Sequence, residues 1–356
     1  MPLPDQAFWA GKRVFLTGHT GFKGSWMALW LQSLGAEVVG VALPPPTEPS
    51  LFAVARVAEG MTSRISDIRD YEAVQEVVAE ARPEIVIHMA AQSLVRTSYR
   101  NPVETYATNV MGTVHLLEAV RQVGPVRVVV NVTTDKCYEN REWVWGYREQ
   151  DPMGGHDPYS SSKGCAELVT AAYRRSFYEE AGIALASVRA GNVIGGGDWS
   201  DDRLLPDILR QFASGEPVQI RSPDAVRPWQ FVLEPLSGYL QLAQRLWEDA
   251  DASGAWNFGP EEGDAKPVRW IVEQVAARWG GGASWSTTEE PQPHEAMQLR
   301  LDIAKARMQL GWRPVCPLDT ALDWTVAWHR AWLEGADVQA VCRDQITRYA
   351  ALRSHP

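Results

Sequence analysis

Short apolar runs alternate with longer amphipathic stretches along the first half of the chain. The runs are rich in Val and Ile, have the length of buried strands, and lie at 13–17, 37–43, 84–89, 126–133 and 183–189. The stretches between them have the apolar spacing of helices. This alternation predicts an α/β fold with a doubly wound parallel sheet, because parallel strands are joined by helices that cross over the sheet.

Three glycines follow the first predicted strand. Gly18, Gly21 and Gly24 have the spacing G-x-x-G-x-x-G and stand directly before a predicted helix. Glycines at such a turn let the backbone approach a pyrophosphate, whose charge is favoured at a helix N-terminus. An ordinary tight turn would use the same residues. His19 and Lys23, inside this loop, are either phosphate ligands or solvated loop residues.

Tyr159 and Lys163 are four residues apart, so they share one face of a helix that Pro158 is well suited to begin. A cationic Lys163 one turn from Tyr159 is expected to lower the pKa of the phenol and make it a general base for a sugar hydroxyl. The Y-x-x-x-K pattern alone is common in helices. Together with the upstream glycines it is far more specific.

These two motifs resemble those of the extended short-chain dehydrogenase/reductases, a superfamily with a Rossmann-like sheet that binds NAD. No acidic residue follows the second strand at 43–46, so NAD is expected from the resemblance alone. The resemblance implies that NAD contacts residues at the strand ends and on the catalytic helix: Gly18, Gly21, Phe22, Gly24, Asp67, Ile68, Ala90, Gln92, Thr108, Tyr159 and Lys163.

The central strand ends in Thr134-Asp135-Lys136. An acid directly after the threonine is the mark of the sugar-nucleotide 4,6-dehydratases within this superfamily. The motifs that carry the resemblance extend over nearly the whole chain and are similar to those of the dehydratases that act on CDP-glucose: 8–15, 18–26, 133–149, 189–199, 227–230, 294–296 and 310–312.

The resemblance implies NAD-dependent dehydration of CDP-D-glucose to CDP-4-keto-6-deoxy-D-glucose. Tyr159 would take the proton of the 4-hydroxyl while C4 is oxidised, with Thr134 bonding the same oxygen and Lys163 holding the phenolate. Water is then eliminated across C5 and C6, with Asp135 protonating the departing hydroxyl, and the hydride returns to C6. The expected setting is deoxysugar biosynthesis for lipopolysaccharide O-antigen.

Lys136 stands where related dehydratases have glutamate as the base for the C5 proton. It could accept a proton only if burial beside Lys163 lowers its pKa. Alternatively, Lys136 stabilises the developing enolate, and Asp135 or water moves the proton. In a third interpretation, Lys136 only pairs with Asp135.

Substrate recognition is expected from the second half of the chain. Asn192 matches an asparagine that contacts the diphosphate in this superfamily, and arginines grip phosphate bidentately. The candidates are Asn192, Arg203, Arg227, Trp229 and Arg300. Among the 16 tryptophans, Trp199 and Trp229 are the candidates for stacking on the base or sugar.

The predicted organisation is an NAD-binding Rossmann domain at 1–190, with a returning segment near 228–256. A smaller C-terminal α/β substrate domain is expected at 191–227 and 257–356. The helices at 108–118 and 159–174 are apolar on more than one face. That pattern suits a homodimer with a shared helix bundle, or a homotetramer of paired dimers.

Net charge and cysteine usage narrow the possible partners. A formal charge of −10 argues against nucleic-acid and anionic-membrane partners. The four cysteines have no C-x-x-C spacing, which disfavours a metal site or a disulfide framework and favours a reducing compartment. No run of about 18 apolar residues is present, so a cytoplasmic protein without a membrane span is expected.

Three alternatives stay open from the sequence. A nucleotide-sugar 4-epimerase would share the fold, NAD and Tyr159, but would not need Asp135 for elimination. A non-catalytic NAD-binding regulator would keep the glycines and lose the acid–base residues, which are all present here. A 4,6-dehydratase acting on another nucleotide sugar would fit every catalytic residue named above.

Overall fold

The computed structural model describes residues 4–287 and 299–354, so the motif at 294–296 lies outside the described residues. A seven-stranded parallel sheet has the order β10-β6-β5-β4-β1-β2-β3. Its strands are β1 (Arg13–Thr17), β2 (Glu37–Ala42), β3 (Thr62–Ile65), β4 (Ile85–His88), β5 (Val128–Val132), β6 (Ala184–Ala190) and β10 (Gly254–Phe258). The predicted fold class is confirmed. The strand order reverses between β1 and β4, where open sheets of this kind bind ligands.

Two small sheets lie in the second half of the chain. The first has the order β11-β9-β7, and the second pairs β12 with β8 in parallel. Their strands are β7 (Asn192–Ile194), β8 (Val218–Ile220), β9 (Val226–Phe231), β11 (Ala265–Pro267) and β12 (Trp285–Thr287).

Helices cover both faces of the large sheet and complete the second half. They are α1 (Gln6–Trp9), α2 (Phe22–Ser33), α3 (Leu51–Val54), α4 (Tyr71–Ala81), α5 (Val95–Arg100), α6 (Pro102–Tyr106), α7 (Gly112–Gln122), α8 (Pro158–Tyr173), α9 (Glu179–Ala181), α10 (Leu204–Ser214), α11 (Leu233–Glu248), α12 (Val268–Trp279), α13 (Leu318–Leu333) and α14 (Val338–Ser354). No helix among the described residues is long and apolar enough to cross a membrane.

The sheet is buried on both faces, as its continuous apolar runs require. Along β1, Phe15 points into the core beneath α4 and α7, whereas Val14 and Leu16 point into the core that α2 and α11 cover. This alternation follows from the two-residue period of a strand. Every residue of β5 is buried, so the central strand is rigidly held up to the point where the polar residues begin.

Three predicted strands end earlier than the apolar runs suggested. Leu43, Met89 and Thr133 follow β2, β4 and β5, and all three line one cavity at the carboxyl edge of the sheet. The three strands therefore end at the edge of the sheet where the cavity lies, although the backbone N of Met89 and of Thr133 still donates to Thr17 and Val188 on the neighbouring strands.

The chain returns to the large sheet after its first excursion into the second half. Segment 226–231 forms β9 in a small sheet, whereas α11 packs on the large sheet and β10 adds to its edge beside β6. We retain as a proposal the division into an NAD-binding domain at 1–190 with a returning segment and a substrate domain formed by the rest.

Candidate active site

A cavity of about 1320 Å³ runs along the carboxyl edge of the large sheet and into the second half of the chain. All the predicted cofactor residues and all the predicted catalytic residues line it. Of the predicted substrate residues, Asn192, Arg203, Arg227 and Trp229 line it. Arg300 is not among the lining residues. The structure thus brings residues from distant parts of the sequence to one site.

Two glycines of the loop between β1 and α2, Gly18 and Gly24, have no room for a side chain. A Cβ on Gly18, whose φ is +79°, would lie 2.7 Å from the backbone N of Ala90, and a Cβ on Gly24 would collide with the carbonyl oxygen of Gly18. Gly21 caps α2 without a side-chain hydrogen bond. The N–H groups of the first turn therefore face the cavity without a side-chain cap, as the pyrophosphate of a dinucleotide requires.

A hydrogen-bonded loop after β4 forms the next part of the wall. Asn109 accepts a hydrogen bond from the backbone N of Gln92 at 2.8 Å and donates to Ser162 Oγ on α8 at 2.9 Å. Thr108 and Asn109 lie in a π-helical stretch, Ala107–Met111, a feature that is frequent at functional sites. The loop carrying Ala90 and Gln92 is thereby tied to the helix that carries Tyr159.

Helix α8 begins as the sequence predicts. Asp157 accepts hydrogen bonds from the backbone N and the hydroxyl of Ser160 at 3.0 and 2.6 Å, and Pro158 occupies the first turn. Asp157 is a favourable N-cap residue, and proline is preorganised for the first helical position. Tyr159 and Lys163 follow on one face, and both side chains are buried.

The pKa of Tyr159 is raised to about 12, opposite to the direction expected from the sequence. Burial disfavours the charged phenolate, and this effect exceeds that of a hydrogen bond with Thr134, which lowers the pKa. The prediction that the pKa of Tyr159 is lowered is therefore wrong when only the protein's own residues act on it. The spacing of Tyr159 and Lys163 does not reveal how strongly Tyr159 is desolvated.

Lys163 is held by the end of the central strand. Its ammonium group donates a hydrogen bond to the carbonyl oxygen of Val132 at 3.2 Å. Burial lowers the pKa of Lys163 to about 8, and the carboxylate of Glu167 acts against this shift. Lys163 therefore stays mainly protonated at neutral pH.

Thr134, Asp135 and Lys136 stand directly after β5. The hydroxyl of Thr134 donates to Asp135 Oδ1 at 3.1 Å, and the ammonium group of Lys136 lies 3.6 Å from the same oxygen. Asp135 is buried, but the side chain of Lys136 is 34% exposed. The burial that a base role for Lys136 would require is thus only partial.

A buried network behind the catalytic residues was not predicted. Glu167 accepts hydrogen bonds from the hydroxyls of Thr133 and Ser187 at 2.5 and 2.6 Å, and from Nε and Nη2 of Arg189 at 2.9 and 2.7 Å. Arg189 also donates to the hydroxyl of Tyr138 at 2.6 Å. Glu167 lies one helical turn after Lys163, so continuing the four-residue spacing would have pointed to it.

The glycine loop contributes two inward-facing side chains. His19 bonds Ser63 at 2.7 Å, and the ammonium group of Lys23 donates to the hydroxyl of Tyr239 at 3.2 Å. Burial lowers the pKa of His19 to about 4 and that of Lys23 to about 7. The solvated-loop interpretation of both residues is therefore wrong. Lys23 lines the cavity.

The substrate candidates differ in their surroundings. Arg203 donates to Asp198 at 3.1 Å and to Ser93 at 3.3 Å, so it spans the two sides of the cavity. Trp229 is 5% exposed, and its indole N–H donates to the carbonyl oxygen of Lys266 at 3.1 Å. These bonds hold both side chains at the cavity wall.

Two of the candidates for substrate recognition do not line the cavity. Arg300 is not a lining residue, although its neighbour Leu299 is, and its backbone oxygen accepts a hydrogen bond from the backbone N of Tyr147 at 2.8 Å, which ties this segment to the loop at 139–149. Trp199 is not a lining residue either. It packs edge-on against Trp332 and Trp328, with ring centroids 4.9 and 5.6 Å apart, so it belongs to the core.

The whole chain is similar to nucleotide-sugar enzymes. The model of the GDP-mannose 4,6 dehydratase family matches residues 15–324. A CDP-glucose 4,6-dehydratase of Salmonella typhimurium is 59% identical over 351 residues, which cover 97% of this chain and 98% of the relative. A dTDP-glucose 4,6-dehydratase of Xanthomonas campestris is 25% identical and covers 90% of this chain and 94% of its own length.

Solved structures agree on the fold. A dTDP-glucose 4,6-dehydratase of Streptomyces venezuelae with NAD bound superposes with a TM-score of 0.78 at 23% identity, over 92% of this chain and 99% of the other. A UDP-glucose 4-epimerase of Thermus thermophilus in complex with NAD has a TM-score of 0.75 at 27% identity, over 89% and 98%. With its family match and its 59% identical relative, the chain belongs to the GDP-mannose 4,6 dehydratase family.

Proposed function

We propose that the chain is a hydro-lyase that dehydrates CDP-D-glucose to CDP-4-keto-6-deoxy-D-glucose with NAD as cofactor. The observation that carries this proposal is the placement of Asp135 beside Thr134 at the end of β5, in the cavity that also holds Tyr159. An epimerase has no step that uses an acid at this position. The 59% identical relative supports CDP-glucose as the substrate.

The glycine loop, Asp67, Ile68, Ala90, Gln92 and Thr108 would hold NAD along the cavity. When bound, NAD supplies an acceptor for the hydride from C4, returns the hydride to C6, and brings a positive charge that favours the phenolate of Tyr159. The uncapped first turn of α2 fits the pyrophosphate. The same cavity also has room for a nucleotide sugar beyond Tyr159.

Tyr159 takes the proton from the glucose 4-hydroxyl, and Thr134 bonds the same oxygen. Lys163, bonded to Val132, supplies a fixed positive charge on the tyrosine's helix face. Once C4 is a ketone, the C5 proton is acidic, and the carboxylate of Asp135, directly or through a water molecule, accepts it. Asp135, buried and bonded to Thr134, then protonates the 6-hydroxyl as water departs.

Lys136 stabilises negative charge at the enolate rather than accepting the C5 proton. Its ammonium group lies 3.6 Å from Asp135 and its side chain is one-third exposed. The sugar would therefore meet a cation next to the acid.

A second copy of the chain is the proposed partner. Large apolar side chains are exposed on one helical layer formed by α6, α8 and the π-helical stretches that extend them: Val103 (82%), Leu168 (62%), Met111 (46%), Phe177 (43%) and Tyr106 (37%). A contiguous apolar surface of this kind is typical of an interface. We propose a homodimer in which α8 of one protomer packs on the same layer of its partner. A homotetramer would be formed by pairing two such dimers.

We also propose a cytoplasmic enzyme of deoxysugar biosynthesis that contributes to lipopolysaccharide O-antigen. The four cysteines are free, and Cys137, Cys316 and Cys342 are buried. Free buried thiols are typical of a reducing compartment.

The function is tested by incubating the purified protein with CDP-glucose and NAD and following the product by mass spectrometry. We expect the loss of one water with no net consumption of NAD. An unchanged mass with inverted C4 would identify a 4-epimerase instead. If CDP-glucose stays unchanged while dTDP-glucose or GDP-mannose loses water, the nucleotide assignment is wrong.

Asp135→Asn separates oxidation from elimination. The variant should still oxidise C4, because Tyr159 and Thr134 are intact, but it should stall before losing water. The near-ultraviolet absorbance of NADH then accumulates on the enzyme. Tyr159→Phe is the matched control, because it lacks the base and should show a roughly 100-fold or greater loss of the absorbance rise. Normal turnover by Asp135→Asn would show that another group is the acid.

Substitutions of Lys136 distinguish its possible roles. If Lys136 acts by its charge, Lys136→Arg should retain most of the elimination rate, and Lys136→Met should slow elimination by roughly 100-fold, as the loss of a charge-stabilising donor does. Lys136→Glu should be slower still. Elimination at the normal rate by Lys136→Glu would instead mean that this position transfers the proton. Single-turnover product mass measures each rate.

The dimer is tested by Leu168→Asp, which places a carboxylate in the proposed apolar interface. Light scattering should show a dimer for the unaltered chain and a monomer for the variant. Met308→Asp is the control, since Met308 is 84% exposed and lies on a distant segment. A monomeric unaltered chain, or equal masses for all three proteins, would contradict this interface.

A further inference from the structure

The proposed positions of NAD and of the glucose ring indicate where the nucleoside of the substrate would lie in the cavity. The glucose ring must reach Tyr159 and Asp135, and the diphosphate follows it towards Asn192 and Arg227. The rest of the cavity continues between α10 and β8, where apolar side chains form the walls: Leu205, Leu209, Val218 and Ile220. Apolar walls with few polar groups are typical of a slot for a flat ring.

Several carboxyl groups line this end, and most are paired. Asp198 accepts a hydrogen bond from Arg203 at 3.1 Å. Asp202 lies 3.4 Å from Arg96 and 3.5 Å from Arg221. One arginine thus compensates the charge of Asp198, and two arginines compensate that of Asp202 through its Oδ1.

Asp207, in the first turn of α10, is compensated less well. Its Oδ1 accepts one long hydrogen bond, from Arg210 at 3.3 Å, and the same guanidinium also donates to the carbonyl oxygen of Trp199 and pairs with Asp201. Its Oδ2 accepts no hydrogen bond from the residues at 4–287 and 299–354. Burial raises the pKa of Asp207 to about 6, so at neutral pH the cavity wall carries a partly desolvated carboxylate.

A carboxylate distinguishes cytosine from the other pyrimidines. The exocyclic N4 of cytosine is a hydrogen-bond donor, whereas uracil and thymine carry the acceptor O4 at the same position. Aspartate accepts a hydrogen bond from N4 and repels O4. A carboxylate oxygen that accepts no hydrogen bond from the described residues, at a cavity end also lined by apolar side chains, would thus be a selective contact for cytosine.

We propose that Asp207 accepts a hydrogen bond from N4 of the cytosine ring and selects cytidine over uridine and thymidine nucleotides. This inference rests on the proposed function, because the position of the base follows from placing glucose beside Tyr159. It assigns specificity to a residue that takes no part in the reaction at C4, C5 or C6.

The test measures the dissociation constants of CDP and UDP by calorimetry for the full-length protein and for Asp207→Asn. The unaltered chain should prefer CDP. In the variant a carboxamide can donate to O4, so the ratio of the UDP to the CDP dissociation constant should fall roughly 10- to 100-fold. Asp201→Asn is the matched control, because Asp201 is 83% exposed and also pairs with Arg210. It should leave the ratio unchanged.

The measured dissociation constants distinguish a failure of the role of Asp207 from a failure of the proposed function. An unaltered chain that binds CDP no better than UDP would overturn both. A preference for CDP that Asp207→Asn retains, or a variant that weakens both nucleotides equally, would overturn only the role of Asp207. Asp207→Glu keeps the carboxylate and should keep a preference for CDP. Loss of that preference in a folded Asp207→Glu would also contradict the proposal.

Discussion

The buried ion pair between Glu167 and Arg189 is the interaction on which the site depends. Each carboxylate oxygen of Glu167 accepts two hydrogen bonds. The donors are Ser187 and Arg189 on β6 and Thr133, which follows β5. Leaving one buried charge unpaired costs roughly 3–5 kcal/mol. Helix α8 and the two strands are therefore held in one arrangement, and Lys163, one turn before Glu167, is held with them.

The same pair connects the sheet to the second half of the chain. Arg189 donates to the hydroxyl of Tyr138, which donates in turn to Asn257 on β10 at 2.7 Å. Asn257 then donates to the backbone oxygens of Tyr147 and Asp302 at 2.8 and 3.1 Å. A continuous set of buried hydrogen bonds thus joins the catalytic strand to the loop that forms the cavity wall at 139–142. In a low-dielectric interior, each member of such a network is costly to leave unsatisfied.

The spacing of residues along the chain predicted those parts of the site that a single strand or helix forms. Buried parallel strands require continuous apolar runs, and a helix places residues four apart on one face, so the sheet and the Tyr159–Lys163 pair could be read from the sequence. The raised pKa of Tyr159 could not, because it depends on burial by residues far away in the chain. Arg189 lies 22 residues from Glu167, and no helical or strand period links the two positions.

The residues proposed for the chemistry and those proposed for nucleotide recognition are distributed differently along the chain. The proposed acid–base residues stand at one strand end and on the first turns of one helix, whereas the proposed nucleoside end is assembled from segments that only the fold brings together. Asp202 pairs with Arg96 from the first half and with Arg221 from the second half. Neither partner is identified by a motif. If the base lies between α10 and β8 as proposed, a change of nucleotide preference requires substitutions on these elements, and the residues proposed to carry out the chemistry can stay the same.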